Sequence, residues 1–256
     1  MTRQQQRSSA WPVEWFDQID STNEEARRRA DTGPFANQWI AARQQTAGRG
    51  RLGRAWVSPT GNLFATALIS WPYPLEAATR LPFAAALAVR DTISHFAPGK
   101  TIALKWPNDV RTNEAKLSGI LIESGTARGE RWIAAGIGIN VAYGPDVAEQ
   151  ATSSIADLSG TAPTPEDTLR VLAVAFEEHL STAIDSFAPI RDAWLRHAEN
   201  LGREITVSLG DRRLSGTFET LAPDGALILR LPNGHQETIR AGDVTTRQGS
   251  ANASRD

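Results

Sequence analysis

Seven consecutive residues, Gly48 to Arg54, hold three glycines and three arginines. Glycine lets the backbone approach a ligand closely. The guanidinium groups of Arg49, Arg51 and Arg54 suit bidentate pairing with phosphate or carboxylate oxygens. Gly48, Gly50 and Gly53 also satisfy G-x-G-x-x-G. In a dinucleotide-binding turn that pattern lies between a strand and a helix, so that the pyrophosphate meets the helix N-terminus. Here Asn37 to Gln45 reads as the strand, but the segment after Gly53 carries Pro59 and Gly61 and does not read as a helix. A kinase glycine loop fails as well, because no HRD or DFG string follows. No G-x-x-x-x-G-K-[ST] string exists. What remains is a cationic loop for an anionic ligand, or a solvated basic turn.

Three further stretches bear on that choice. Lys105-Trp106-Pro107-Asn108-Asp109 ends a short strand and presents Asn108 and Asp109 at its carboxyl edge, where ligands usually sit. Pro-Asn-Asp is also simply a good turn. Lys116 opens an apolar strand, and Gly119 inside it permits close backbone approach. Gly136-Ile137-Gly138-Ile139-Asn140 puts two glycines in a strand, which weakens it unless something packs on them. Asn140 offers a paired donor and acceptor, the pattern of an adenine edge.

The elements that must position these residues are readable. Val13 to Ile19 reads as a strand, followed by a helix capped by Ser21 or Thr22 with Glu24 and Glu25 in its first turn. Leu63 to Ser70 is an apolar strand, and Leu81 to Phe96 has helical spacing. Ile102 to Trp106 is a strand, and Leu117–Ser124 and Arg131–Val141 read as a strand pair. Pro165 to Phe187 is a long amphipathic helix, and Pro189 to Asn200 a second helical stretch. Short strands then follow, with turns at Gly210-Asp211, Pro223-Asp224-Gly225 and Pro232-Asn233-Gly234. The expected organisation is a tail at 1–12, a main domain at 13–200, a small β-barrel at 201–247 and a tail at 248–256.

Composition narrows the chemistry. The 256 residues carry a net charge of -2, so any basic site is local. There is no cysteine, which excludes disulfides and thiolate nucleophiles. The four histidines, His95, His179, His197 and His235, lie outside the motifs. With no apolar leader segment and no run long enough to span a bilayer, a cytoplasmic protein is expected.

Taken together, in this order and spacing, the motifs resemble the biotin–protein ligases. The matching residues are Ser21-Thr22-Asn23, Gln45 to Trp56, Lys105 to Asp109, Lys116 to Leu121 and Gly136 to Asn140, within a resemblance that covers about residues 13 to 247. It implies an α+β fold: a mixed-sheet catalytic domain of the biotin/lipoate ligase type with a small SH3-like barrel. It implies activation of biotin by ATP and Mg²⁺ to biotinyl-5'-AMP, then transfer to a lysine of a biotin carboxyl carrier protein. By analogy, Ser21, Thr22, Asn23 and Gln45 meet the biotin head group. Gly48, Gly119, Gly136 and Ile139 line its loop and tail. Arg49, Arg51 and Lys116 neutralise the carboxylate and phosphates. Gly50, Arg54, Trp56, Asn108 and Asn140 lie at the nucleotide, and Asp109 at the magnesium and the acceptor lysine. Only about 12 residues precede the first strand, so the expectation is the ligase-only form, with no DNA-binding domain. Exposed sheet edges could pair into a homodimer. A lipoate–protein ligase, a non-catalytic biotin or adenylate sensor and a single-strand nucleic-acid binder are the rival readings.

Overall fold

The computed structural model describes residues 9–147 and 150–246. In chain order, β1 (Val13–Phe16), α1 (Thr22–Thr32), β2 (Gln38–Ala42), β3 (Leu63–Ser70), α2 (Leu75–Ala78) and α3 (Leu81–Phe96) come first. Then follow β4 (Ala103–Lys105), β5 (Asp109–Thr112), β6 (Ala115–Ala127), β7 (Glu130–Ile139), α4 (Ile155–Ser159), α5 (Pro165–Asp185) and α6 (Phe187–Leu195). The strands so far form one sheet in the order β1-β2-β3-β7-β6-β5-β4. β1 and β2 are parallel, because α1 carries the chain back between them, and every other pair is antiparallel. The sheet is therefore mixed, as expected.

Its two faces differ. The alternation of β7 sends Ile133, Ala135, Ile137 and Ile139 into the main apolar core beneath α3 and α5. The opposite face receives α1, whose Ala26 and Ala30 pack with Ile40, Leu68, Trp132 and Ala134. That helix covers only part of the face, and Gly136, Gly138 and Gly119 continue it with no side chains. β3 is buried almost throughout, as its unbroken apolar run requires of a central strand.

A second sheet is built from β8 (Glu204–Leu209), β9 (Arg212–Leu221), β10 (Leu227–Arg230), β11 (Gln236–Ile239) and β12 (Asp243–Thr246), all antiparallel, in the order β11-β10-β9-β8-β12. It shares the main core. Trp194 of α6 lies 5.6 Å from the ring of Phe83 and 6.5 Å from that of Phe218 on β9. The indole of Trp106 donates to the Gly225 carbonyl at 3.2 Å. Gly225, at φ +84, sits so close to Phe83 that a Cβ would come within 2.5 Å of the ring.

Several limits move. Residues 9–12 are anchored rather than loose. Ser9 and the Ala10 amide bond the Glu177 carboxylate, and Trp11 lies 6.3 Å from Phe176 and 6.4 Å from Trp39. The rest of the expected tails, residues 1–8 and 248–256, lies outside the described residues. α5 stops at Asp185 because Ser186 is extended, and the next helix begins two residues before Pro189, which fits a first helical turn. The stretch expected to continue that helix to Asn200 instead bonds along β4: the Leu104 amide donates to His197 and the Glu199 amide to Leu104, both at 2.8 Å. The otherwise open edge of β4 takes these residues as partners. Among the described residues no helix is long and apolar enough to cross a membrane.

Trp194 bridges Phe83 of α3 and Phe218 of β9, and 1% of it is exposed. Trp194→Ala should cost about 3–5 kcal/mol in urea unfolding. A loss below about 1 kcal/mol would mean that the second sheet is not held through this contact.

Candidate functional site

The glycine face carries a cavity of about 740 Å³, walled by the arginine loop and by β12. Ser21, Thr22, Asn23, Gln45, Arg49, Gly50, Arg51, Arg54, Trp56, Asn108, Asp109, Lys116, Gly119, Gly136 and Asn140 all line it. Gly48 and Ile139 do not. A Cβ on Gly48 would strike Ser58 Oγ and the Trp56 carbonyl at 2.5 Å, so this glycine serves the packing of its own loop. Ile139 points to the other side of β7 and is fully buried in the core. The same pleat that turns Gly138 toward the cavity turns Ile139 away.

At the α1 end the polar groups form a closed network. Gln45 Oε1 accepts from the Thr22 amide at 2.8 Å and the Thr22 hydroxyl at 3.1 Å, and Gln45 Nε2 donates to Ser58 Oγ at 3.0 Å. Asn23 donates to Glu123 at 2.7 Å and to the Leu121 carbonyl at 3.3 Å. Its Oδ1 lies 2.6 Å from the hydroxyl of buried Thr66 and rests directly on Gly136. The Asn23 amide is therefore committed inward rather than held out to a ligand. Ser21, whose hydroxyl makes no capping bond, is the freer group. Thr66 and Glu123 were not anticipated. A threonine in the middle of the apolar run of β3 was the available signal.

The cations are also paired, Arg49 beside the polar network and Arg51 and Arg54 against the second sheet. Arg49 contacts Glu24 of α1 and Glu123, the latter at 3.3 Å. Arg51 donates to Asn108 Oδ1 at 3.1 Å and to the Gly242 carbonyl at 3.4 Å, with Asp243 at 3.7 Å. Arg54 pairs with Asp243. Asp243 belongs to β12, so the second sheet supplies an anion to the loop of the first domain. The loop turns through Leu52, at φ 57, and Gly53, at φ 72; the exposed Leu52 adopts a conformation that favours glycine.

Between the two ends lies Trp56. Its indole covers Gly119 and Gly138, and a Cβ on Gly138 would meet the ring at 2.6 Å. The Lys116 ammonium lies 5.2 Å from the ring centroid and 2.8 Å from Asp109. Asn140 is nearly buried, and its amide donates to the Lys116 and Ser153 carbonyls at 3.1 and 3.0 Å. Both its protons are thus spent on backbone, leaving the carbonyl oxygen for a ligand donor. Buried Asn62 accepts from the Val141 and Ala142 amides and so holds the segment after Asn140. Lys105 lines the cavity too. Its place in the Lys105–Asp109 motif carries no sequence signal for a role at the site.

Among the described residues no group of three or more His, Asp or Glu could hold a metal. Asp109 is a lone carboxylate facing cations. That suits a magnesium ion arriving on phosphates rather than one caged by protein.

A cationic loop above a glycine floor, with a second module reaching into the same cavity, defines a protein built to gather anionic ligands. Comparison with known proteins gives the family. Residues 15–140 match the biotin/lipoate A/B protein ligase family and residues 201–247 the biotin protein ligase C-terminal domain. The chain is 44% identical to a biotin–[acetyl-CoA-carboxylase] ligase of Paracoccus denitrificans, over 88% of this chain and 96% of that one. It is 31% identical to the bifunctional ligase/repressor BirA of Bacillus subtilis, over 89% of this chain and 72% of that one. A biotin protein ligase from Aquifex aeolicus, solved with biotin and ATP, superposes with a TM-score of 0.78 at 26% identity, covering 93% of this chain and 99% of that one. The chain belongs to the biotin/lipoate A/B protein ligase family.

The start of α1 yields a prediction. Hydrogen bonds from Arg28, at 2.8 and 2.9 Å, hold the Asp20 carboxyl down to about 2; burial opposes them and the Ser21 amide assists. Its folded value lies below the ordinary 3.8, so its stabilisation is present above about pH 4 and lost as pH falls toward about 2. The pair is largely exposed, so the amount is below about 1 kcal/mol. In Arg28→Ala, an NMR titration of Asp20 should move up toward 3.8. An unmoved titration would contradict this pairing.

Proposed function

We propose that this protein is an ATP-dependent biotin–protein ligase, which forms biotinyl-5'-AMP and passes the biotinyl group to a lysine of a biotin carboxyl carrier protein in the cytoplasm. The observation that carries the reading is one cavity with a closed polar network at one end, Arg49 beside that network, and Arg51, Arg54 and Lys116 beyond it. It takes a neutral, polar head group and two anions at once.

Adenylation needs no protein nucleophile. A biotin carboxylate oxygen attacks the α-phosphorus, the bond to the bridging oxygen breaks, and pyrophosphate leaves with the electron pair. Like charges resist that approach. Arg49, Arg51 and Lys116 relieve the repulsion by placement and charge. Ser21 and Thr22 hold the ureido ring, with Asn23 and Gln45 fixing their positions. Gly119, Gly136 and Gly138 let Trp56 and Asn23 lie flat against the sheet, and the tail runs along the cavity they border. Asn140 accepts from the adenine amino group, and Arg54, Gly50, Asn108 and Trp56 bound the nucleotide. Magnesium carried on ATP would meet Asp109 and add neutralising charge. In the second step the acceptor amine attacks the acyl carbon, AMP leaves with the electron pair of the broken bond, and the amine releases a proton. Asp109 orients that amine.

Biotin-dependent ATP–pyrophosphate exchange tests the reading, with lipoate as the parallel acid. Exchange with biotin alone is expected, reduced about 100-fold or more in Arg51→Ala. Exchange with lipoate alone would overturn the substrate. No exchange with either acid, in folded protein, would overturn the ligase reading in favour of a sensor.

A further inference from the structure

Lys105 ends β4, and its register partner across the β4–β5 hairpin is Asp109. The row continues through Gly119 on β6 and Gly138 on β7. Cross-strand partners project to the same face. The neighbouring pair, Leu104 and Val110, is fully buried in the core, so the pleat turns Lys105 and Asp109 toward the cavity that they both line. Thr66, in the polar network, lies on β3, four inter-strand steps from β4. At the usual strand spacing that is about 19 Å. Lys105 thus stands at the end of the cavity far from the acid-binding network.

Its charge is handled unlike the others. Arg49, Arg51, Arg54 and Lys116 each rest on a protein carboxylate. Near Lys105, Asp109 is taken by Lys116 at 2.8 Å and Glu199 by Arg111 at 3.1 Å. Among the described residues no carboxylate lies within ion-pair distance of the Lys105 ammonium. Burial pushes its pKa down; Arg111 and Lys116 push the same way, against Asp109 and Glu199. An ammonium partly withdrawn from water without a carboxylate partner carries a cost that an arriving anion reduces.

We propose that Lys105 binds the β- and γ-phosphates of ATP and takes the charge that develops on the leaving pyrophosphate. This rests on the adenylation reading above. Lys105 joins no covalent step: the broken bond lies between the α-phosphorus and the bridging oxygen, whose electron pair goes to pyrophosphate.

The test compares wild type, Lys105→Met and Lys105→Arg. In Lys105→Met, the KM for ATP and the inhibition constant for pyrophosphate should each rise about 10- to 100-fold. The KM for biotin should stay within about twofold, and Lys105→Arg should recover most of the loss. Single-turnover transfer from supplied biotinyl-5'-AMP to the acceptor should proceed at the wild-type rate. Unchanged ATP and pyrophosphate constants would overturn the proposal. So would a transfer rate that falls as far as adenylation does, since that marks a structural role. Should wild type show no exchange, the ligase reading fails by itself. Calorimetric titration with pyrophosphate then decides on Lys105: binding weakened in Lys105→Met supports the phosphate site, and equal binding overturns it.

Discussion

Positive charges crowded around one cavity must be neutralised, and the carboxylates that do so come from distant parts of the chain. Glu24 lies on α1, Glu123 on β6, Asp109 on β5 and Asp243 on β12. The arginine loop is thereby tied to a helix, to the main sheet and to the second module. Magnitudes decide what these ties do. The Arg49 and Arg54 side chains are 41% and 64% exposed, and pairs of that kind contribute about 0–1 kcal/mol. They orient the loop without locking it. A phosphate can compete for these guanidinium groups through bidentate bonds. Lys116 and Asp109 are 15% and 16% exposed, so their pair is less screened and the harder one to exchange.

The space for a ligand comes from what the sheet leaves out. On the α1 face, Gly136, Gly138 and Gly119 sit where side chains would collide with Asn23 and Trp56, which border the cavity. On the opposite face the same strands bury Ile137, Ile139 and Ile120. One alternation therefore produces both a stable core and a cavity. The aromatic contacts of Phe83, Trp194 and Phe218 then fix the second sheet so that β12 reaches the loop. The small module is part of the site's electrostatics as well as a cover for the core.

Much of this was legible in the sequence. Leu63–Ser70 and Leu81–Phe96 fall at their expected limits, because an unbroken apolar run and a helical repeat are strong local signals. The residues given a site role gather in one cavity, apart from Gly48 and Ile139. Ile139 misled because proximity in sequence to Gly138 says nothing of face until the pleat is known. The stretch after Leu195 misled because pairing with β4, a long-range demand, displaced local helix preference. Asp243 and Glu123 carried no local signal. Their roles arise only when β12 and β6 are brought beside the arginines.

We propose that the site cations rest on protein carboxylates until substrate anions replace them. A crystal structure with bound biotinyl-5'-AMP tests it most directly. Lys116 is expected to leave Asp109, and Arg51 to move off Asp243, to meet the phosphate and acyl oxygens. Finding the ligand in the cavity with the Lys116–Asp109 and Arg51–Asp243 contacts unchanged would contradict it.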